Sequence, residues 1–115
     1  MDDPVLNTQS HPVSDACELS RMSARALTKA FEAGTLSPVE VARAALERAH
    51  VARDTCNAFS LIDEDGALAV ASASEKRWTS GAPLSPIDRV PGTIKDLVRI
   101  AGWGVSNGSN LCRDP

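Results

Sequence analysis

Val90-Pro91-Gly92-Thr93-Ile94-Lys95-Asp96 is the stretch on which the reading of this chain turns. A short apolar run ends on a charged pair, and runs of this length bounded by turn residues read as strands. The spacing therefore predicts a strand over 90–94, with Lys95 and Asp96 at its end. Leu97, Val98 and Ile100 continue the apolar pattern, and a glycine-rich turn region follows from Gly102 to Gly108. A lone lysine is usually a solvated charge. At a strand end it gains another use, because burial disfavours the ammonium and a lysine with a lowered pKa can serve as a general base. Such a base can activate a serine hydroxyl.

Upstream, the sequence reads as helical scaffold. Ser23 is a good N-cap, and Met22 before it can staple onto Leu27. Leu27 and Phe31 share a face, and Gly34 supplies the left-handed residue that ends the helix. The next start is more fully specified: Leu36-Ser37-Pro38-Val39-Glu40-Val41 combines an N-cap serine, Pro at N1, Glu at N3 and a Leu36–Val41 staple. This helix is predicted to run through about Arg53, with Val39, Ala42, Leu46 and Ala49 on its buried stripe. Arg43, Glu47, His50 and Arg53 fall towards the other side, which makes His50 a surface residue. Asn57 to Ile62 reads as a second strand. Asp63 caps a third, alanine-rich helix to about Ser80, in which Leu68, Ala71, Glu75 and Trp78 recur at helical spacing. Gly81 to Pro86 reads as a turn-forming linker. Residues 1–20 are polar and without period, and read as a loose N-terminal extension to a domain over 21–115.

Composition excludes several classes of function. The net charge is −3 with no basic stripe, which argues against a direct nucleic-acid surface. The acidic start lacks an apolar signal core, and no apolar run approaches the roughly 20 residues a membrane helix needs. Cys17, Cys56 and Cys112 are widely spaced, as are His11 and His50, so no metal site is expected and the thiols read as reduced and cytoplasmic. Asp63-Glu64-Asp65 with Gly66 does not make a calcium loop. Gly102-Trp103-Gly104 lacks the spacing of a phosphate cradle, and no clear helix follows it. Only two Trp and two Phe, with no Tyr, are present. Aromatic rings carry much of the buried area in small cores, so the core is expected to be thin and the chain part of something larger.

Taken together, Leu36 to Val41, then Asn57-Ala58-Phe59, then Val90-Pro91-x-Thr93-Ile94-Lys95-Asp96-Leu97, then Ala101-Gly102 and Gly108-Ser109, resemble the N-terminal part of the amidase signature hydrolases. The resemblance covers about residues 21–115. It implies an α/β fold, with these helices and first strands belonging to a mixed central sheet that is incomplete in this chain. It implies hydrolysis of carboxamide C–N bonds by a Ser–cis-Ser–Lys triad, with no metal and no organic cofactor. The catalytic lysine falls on Lys95, which in neutral form would take a proton through the cis-serine so that the nucleophilic serine attacks the amide carbonyl. Asp96 is given a structural hydrogen bond and no chemistry.

The chain departs from the family pattern at Arg89, where a glycine is usual, and at Gly92, where a larger aliphatic is usual. The glycine- and serine-rich segment bearing both serines is not in this sequence, and neither Ser106 nor Ser109 has the glycine context to replace it. The expectation is therefore an N-terminal fragment, inert alone, with open strand edges. Its expected partners are a small-molecule amide in the complete enzyme and either a second copy or the missing C-terminal part, with no membrane. Two other readings stand beside it: the amidase subunit of a glutamine-dependent tRNA amidotransferase, and a truncated, non-catalytic helical module.

Overall fold

In a computed structural model of the chain, residues 16–109 are described. They form four helices in order: α1 (Ala16–Leu19), α2 (Ala24–Ala33), α3 (Pro38–Cys56) and α4 (Glu64–Thr79). The greater part of the 1–20 extension, with His11, and Cys112 near the other end lie outside the described residues.

The helix starts follow the local chemistry. The Ser23 side chain accepts from the Ala26 N–H, and Gly34 closes α2 at φ 69°. Ser37 and Glu40 form the reciprocal capping box: Ser37 Oγ accepts from the Glu40 N–H, and Glu40 Oε2 from the Ser37 N–H. Asp63 Oδ1 accepts from the Gly66 N–H at 3.0 Å to begin α4. A Cβ at Gly66 would run into the Asp63 carboxylate. That glycine therefore serves the cap.

Packing is built from few residues. Leu27 and Phe31 of α2 meet Val41 of α3, and Met22, Leu36, Trp78 and Val90 close around them. The rings of Phe31 and Trp78 lie 5.8 Å apart at 49°, a tilted arrangement that favours their quadrupoles. A second cluster joins Leu19 of α1 to Ala44 of α3. The stripe expected on α3 is displaced. Pro38, Val41 and Ala44 are buried, whereas Val39, Ala42, Leu46 and Ala49 are only half-buried.

The mixed α/β sheet is not found: among the described residues there is no strand. The reason differs at the two places. At 57–62 the helix takes the chain first, for α3 runs on to Cys56 and Asn57 becomes its left-handed cap at φ 53°, its N–H donating to Arg53 O and that of Ala58 to Ala52 O. Asparagine is among the few non-glycine residues that adopt this conformation readily. At 90–94 the chain has no partner strand among the described residues, and a β ladder exists only in pairs. Apolar composition alone does not supply that partner.

Candidate active site

The connection from α4 to Lys95 is held by one carboxylate. Asp88 is 6% exposed. Arg77 of α4 donates to it twice, Nε to Oδ2 and Nη2 to Oδ1, each at 2.8 Å. The Leu84 N–H adds a third hydrogen bond at 3.0 Å. The Asp88 carbonyl accepts from Trp78 Nε1 at 3.1 Å and from the buried Ser74 hydroxyl at 3.5 Å. On the other side, Thr28 of α2 donates to the Pro86 carbonyl. A buried carboxylate is tolerable only when paired and hydrogen-bonded. Here the Arg77 guanidinium holds the Asp88 carboxyl well below the usual carboxylate range, against the opposing effect of burial. The same bond raises the already high pKa of Arg77.

From this anchor the chain leaves through Arg89, whose φ is 64°. Val90 N–H donates to Ile87 O at 3.0 Å, completing the turn. Residues 91–95 are then exposed. Lys95 lies at the end of this run, and its carbonyl accepts from the Val98 N–H at 3.0 Å. Its ammonium has no hydrogen-bond or ion-pair partner among the described residues. The enclosure that would favour a neutral amine is not built by these residues.

The structural hydrogen bond expected of Asp96 takes a definite form. Ser106 Oγ donates to Asp96 Oδ2, and the Ser106 N–H donates to Oδ1 at 3.2 Å. These bonds, first the hydroxyl and then the backbone amide, lower the Asp96 pKa, and the Gly108 N–H contributes in the same direction. Ser106 is thereby committed to Asp96.

Two open clefts flank the lysine segment. One, about 660 Å³, is lined by Phe59, Ser60, Ile94, Lys95, Asp96 and Trp103, among others. The other, about 750 Å³, lies between α3 and α4 and is bordered by Leu46, Ala49, Val70, Arg89 and Ile94. The half-buried face of α3 opens onto this second cleft. No group of three or more His, Cys, Asp or Glu among the described residues could hold a metal ion. His50 Nε2 instead lies 3.2 Å from Glu64 Oε2, tying α3 to the start of α4.

A family model described as Amidase matches residues 40–114, a span holding all but the first two residues of α3, the whole of α4, the Asp88 anchor and Lys95. The chain belongs to the amidase family. Among curated proteins, it is 34% identical over 94 residues to a glutamyl-tRNA(Gln) amidotransferase subunit of Chloroflexus aurantiacus, covering 82% of this chain and 19% of that protein. A protein of the same name from Salinispora tropica is 34% identical over 97 residues, 84% of this chain and 20% of the relative. One from Myxococcus xanthus is 36% identical over 94 residues, 82% and 19%. The chain thus spans about a fifth of the length of the curated relatives it matches. No solved structure matches it significantly.

Within this amidase-family chain, the sequence singled out Lys95, and the structure puts it in an open cleft beside Asp96 and Trp103. It does not bring Ser106 forward as a nucleophile, since the Ser106 hydroxyl is bound to Asp96. Sequence reasoning missed Arg77, Ser74 and Asp88, which position the segment. Their only signal was an aspartate set among Ser85, Pro86 and an apolar run, which is weak. None of the described helices is long and apolar enough to cross a membrane.

Proposed function

We propose that this chain is the lysine-bearing portion of an amidase that releases ammonia from a carboxamide, of the type found in glutamyl-tRNA(Gln) amidotransferases. The observation that carries the reading is that relatives named as subunits of that enzyme match more than four-fifths of this chain, Lys95 segment included. Lys95 is the general base. It receives the proton that passes from a nucleophilic serine through a second serine, both lying outside these 115 residues. The serine oxygen attacks the amide carbonyl, the C–N bond breaks as ammonia leaves with a proton returned by the lysine, and water then releases the acid. In the amidotransferase the ammonia passes to a partner subunit.

The Lys95 side chain is exposed and has no ion-pair partner among the described residues, so a serine can reach it, and the neutral form the role requires has to come from an enclosure built outside these residues. A simple amidase is the second reading, favoured by the family match alone. The experiment is to express the complete open reading frame that contains this chain and assay ammonia release from glutamine and from small aliphatic amides. Glutamine hydrolysis together with copurifying partner subunits supports the amidotransferase. Turnover of simple amides by a partnerless protein supports the simple amidase. Absence of both activities overturns the enzymatic reading in favour of a non-catalytic module.

A further inference from the structure

Arg53 and Asp54 are neighbours in sequence, and their side chains pair at 3.5 Å on the surface of α3. Lys95 and Asp96 are also a basic residue followed by an acidic one, yet they do not pair. The difference lies in what else engages the carboxylate. Ser106 Oγ holds Asp96 Oδ2, and the Ser106 amide holds Oδ1 at 3.2 Å. The Gly108 amide also acts to lower the Asp96 pKa. Asn107 and Gly108 are successive left-handed residues, at φ 50° and 70°. Turns of this kind aim consecutive backbone N–H groups at an anion. The turn is closed by the Ser109 N–H on Ser106 O at 2.9 Å. A separate turn, Val98 N–H to Lys95 O, fixes the lysine backbone.

We propose that Asp96 is a positioning residue: the 106–108 turn clamps its carboxylate and so keeps it off the adjacent Lys95 ammonium. A paired carboxylate would hold the lysine in its charged form. With the clamp closed, the Lys95 side chain is left without an ion-pair partner among the described residues while its backbone is fixed. The usefulness of this clamp to catalysis rests on the reading of Lys95 as general base, but its geometry does not.

The test needs no turnover. The chain has three lysines, Lys29, Lys76 and Lys95, so trace acetylation with acetic anhydride followed by peptide mass analysis reports each separately. Ser106→Ala removes the hydroxyl donor and releases the carboxylate towards Lys95. At fixed mildly alkaline pH, labelling of Lys95 should fall about threefold, the size expected of an exposed ion pair. Lys29 and Lys76 should not change. Asp96→Asn removes the charge, and labelling of Lys95 should not fall. Ser106→Thr keeps the hydroxyl and should restore the original rate. A merely structural clamp would move Ser106→Ala and Asp96→Asn in the same direction, or all three lysines together, and either result overturns the proposal. Unchanged Lys95 labelling in Ser106→Ala overturns it as well. If Ser106→Ala unfolds, the same fall in Asp96→Asn overturns the proposal, and an unchanged Lys95 rate in Asp96→Asn and Ser106→Thr supports it. Failure here leaves ammonia release by the complete protein standing, and failure of ammonia release leaves the clamp standing.

Discussion

Arg77 grips Asp88, eleven positions further along the chain, with two parallel hydrogen bonds of 2.8 Å. That pair fixes where the chain leaves α4, and hence where Lys95 is presented. Bidentate arginine–carboxylate pairs are geometrically selective as well as strong, and this one is backed by Leu84, Trp78 and Ser74. Replacing Asp88 by Asn leaves the shape and removes the charge that Arg77 was bound to. The expected loss is about 2 kcal/mol, a fall in Tm on the order of 10 °C for a domain of this size. Thermal melts followed by circular dichroism check it.

The same pair sets an acid limit. The Asp88 pKa is lowered by folding, so the unfolded chain takes up a proton here before the folded one does. The stabilisation is fully present above the unfolded value, roughly 3.9, and is lost as pH falls towards the much lower folded value. The Tm difference between the natural chain and Asp88→Asn should therefore be constant from pH 7 to about pH 5 and shrink below about pH 4. A difference that grew on acidification would overturn the assignment.

Arg89, one residue on, adopts φ 64°, and a left-handed conformation costs an L-residue about 1–2 kcal/mol. Glycine at this position avoids that cost but gives part of it back as lost unfolded-state entropy. Arg89→Gly should raise stability by about 0.5–1 kcal/mol, and Arg89→Val should lower it. At Gly92 the backbone is not left-handed and a Cβ would meet nothing within 4 Å. Gly92→Ala should therefore stabilise by about 0.4–1 kcal/mol. Urea titrations of the three variants decide these points.

What was legible in the sequence was local. Ser23, Ser37, Asp63 and Gly34 mark helix ends through bonds that close within three or four residues, and each could be read from its neighbours. Leu27, Phe31 and Trp78 announced themselves by spacing and size. The two strands expected from apolar composition are not found among the described residues, because a strand is a property of two segments, and Asn57 was equally able to cap a helix. The Arg77–Asp88 pair and the Asp96–Ser106 clamp join residues ten or eleven positions apart through turns whose path no periodicity encodes. The half-buried face of α3 could not be told from a buried one, since its Ala and Leu pattern is the same in both cases.

A thin core concentrates stability in a few side chains. Phe31 is 4% exposed and touches the Leu27, Val41 and Trp78 group that joins three helices. Phe31→Ala should cost about 3–4 kcal/mol, the cavity left behind included. Phe31→Leu should recover more than half of that. Ser37→Ala, which breaks the capping box, should cost only about 1 kcal/mol. The ratio of the two losses, read from urea midpoints, tests whether packing or capping dominates.

Lys95 gives the sharpest separation of chemistry from stability. Its ammonium has no partner among the described residues and its side chain is exposed, so Lys95→Ala should leave the melt of this chain unchanged within about 0.5 kcal/mol. In the complete amidase-family protein the same change removes the residue proposed as general base. Ammonia release should fall by about 10²–10⁴-fold, the usual contribution of a positioned proton acceptor. Lys95→Arg keeps the length and charge but cannot give up its proton, so it should be as inactive as the alanine variant. An arginine variant that retains activity would show that charge alone suffices, and an active alanine variant would remove Lys95 from the chemistry.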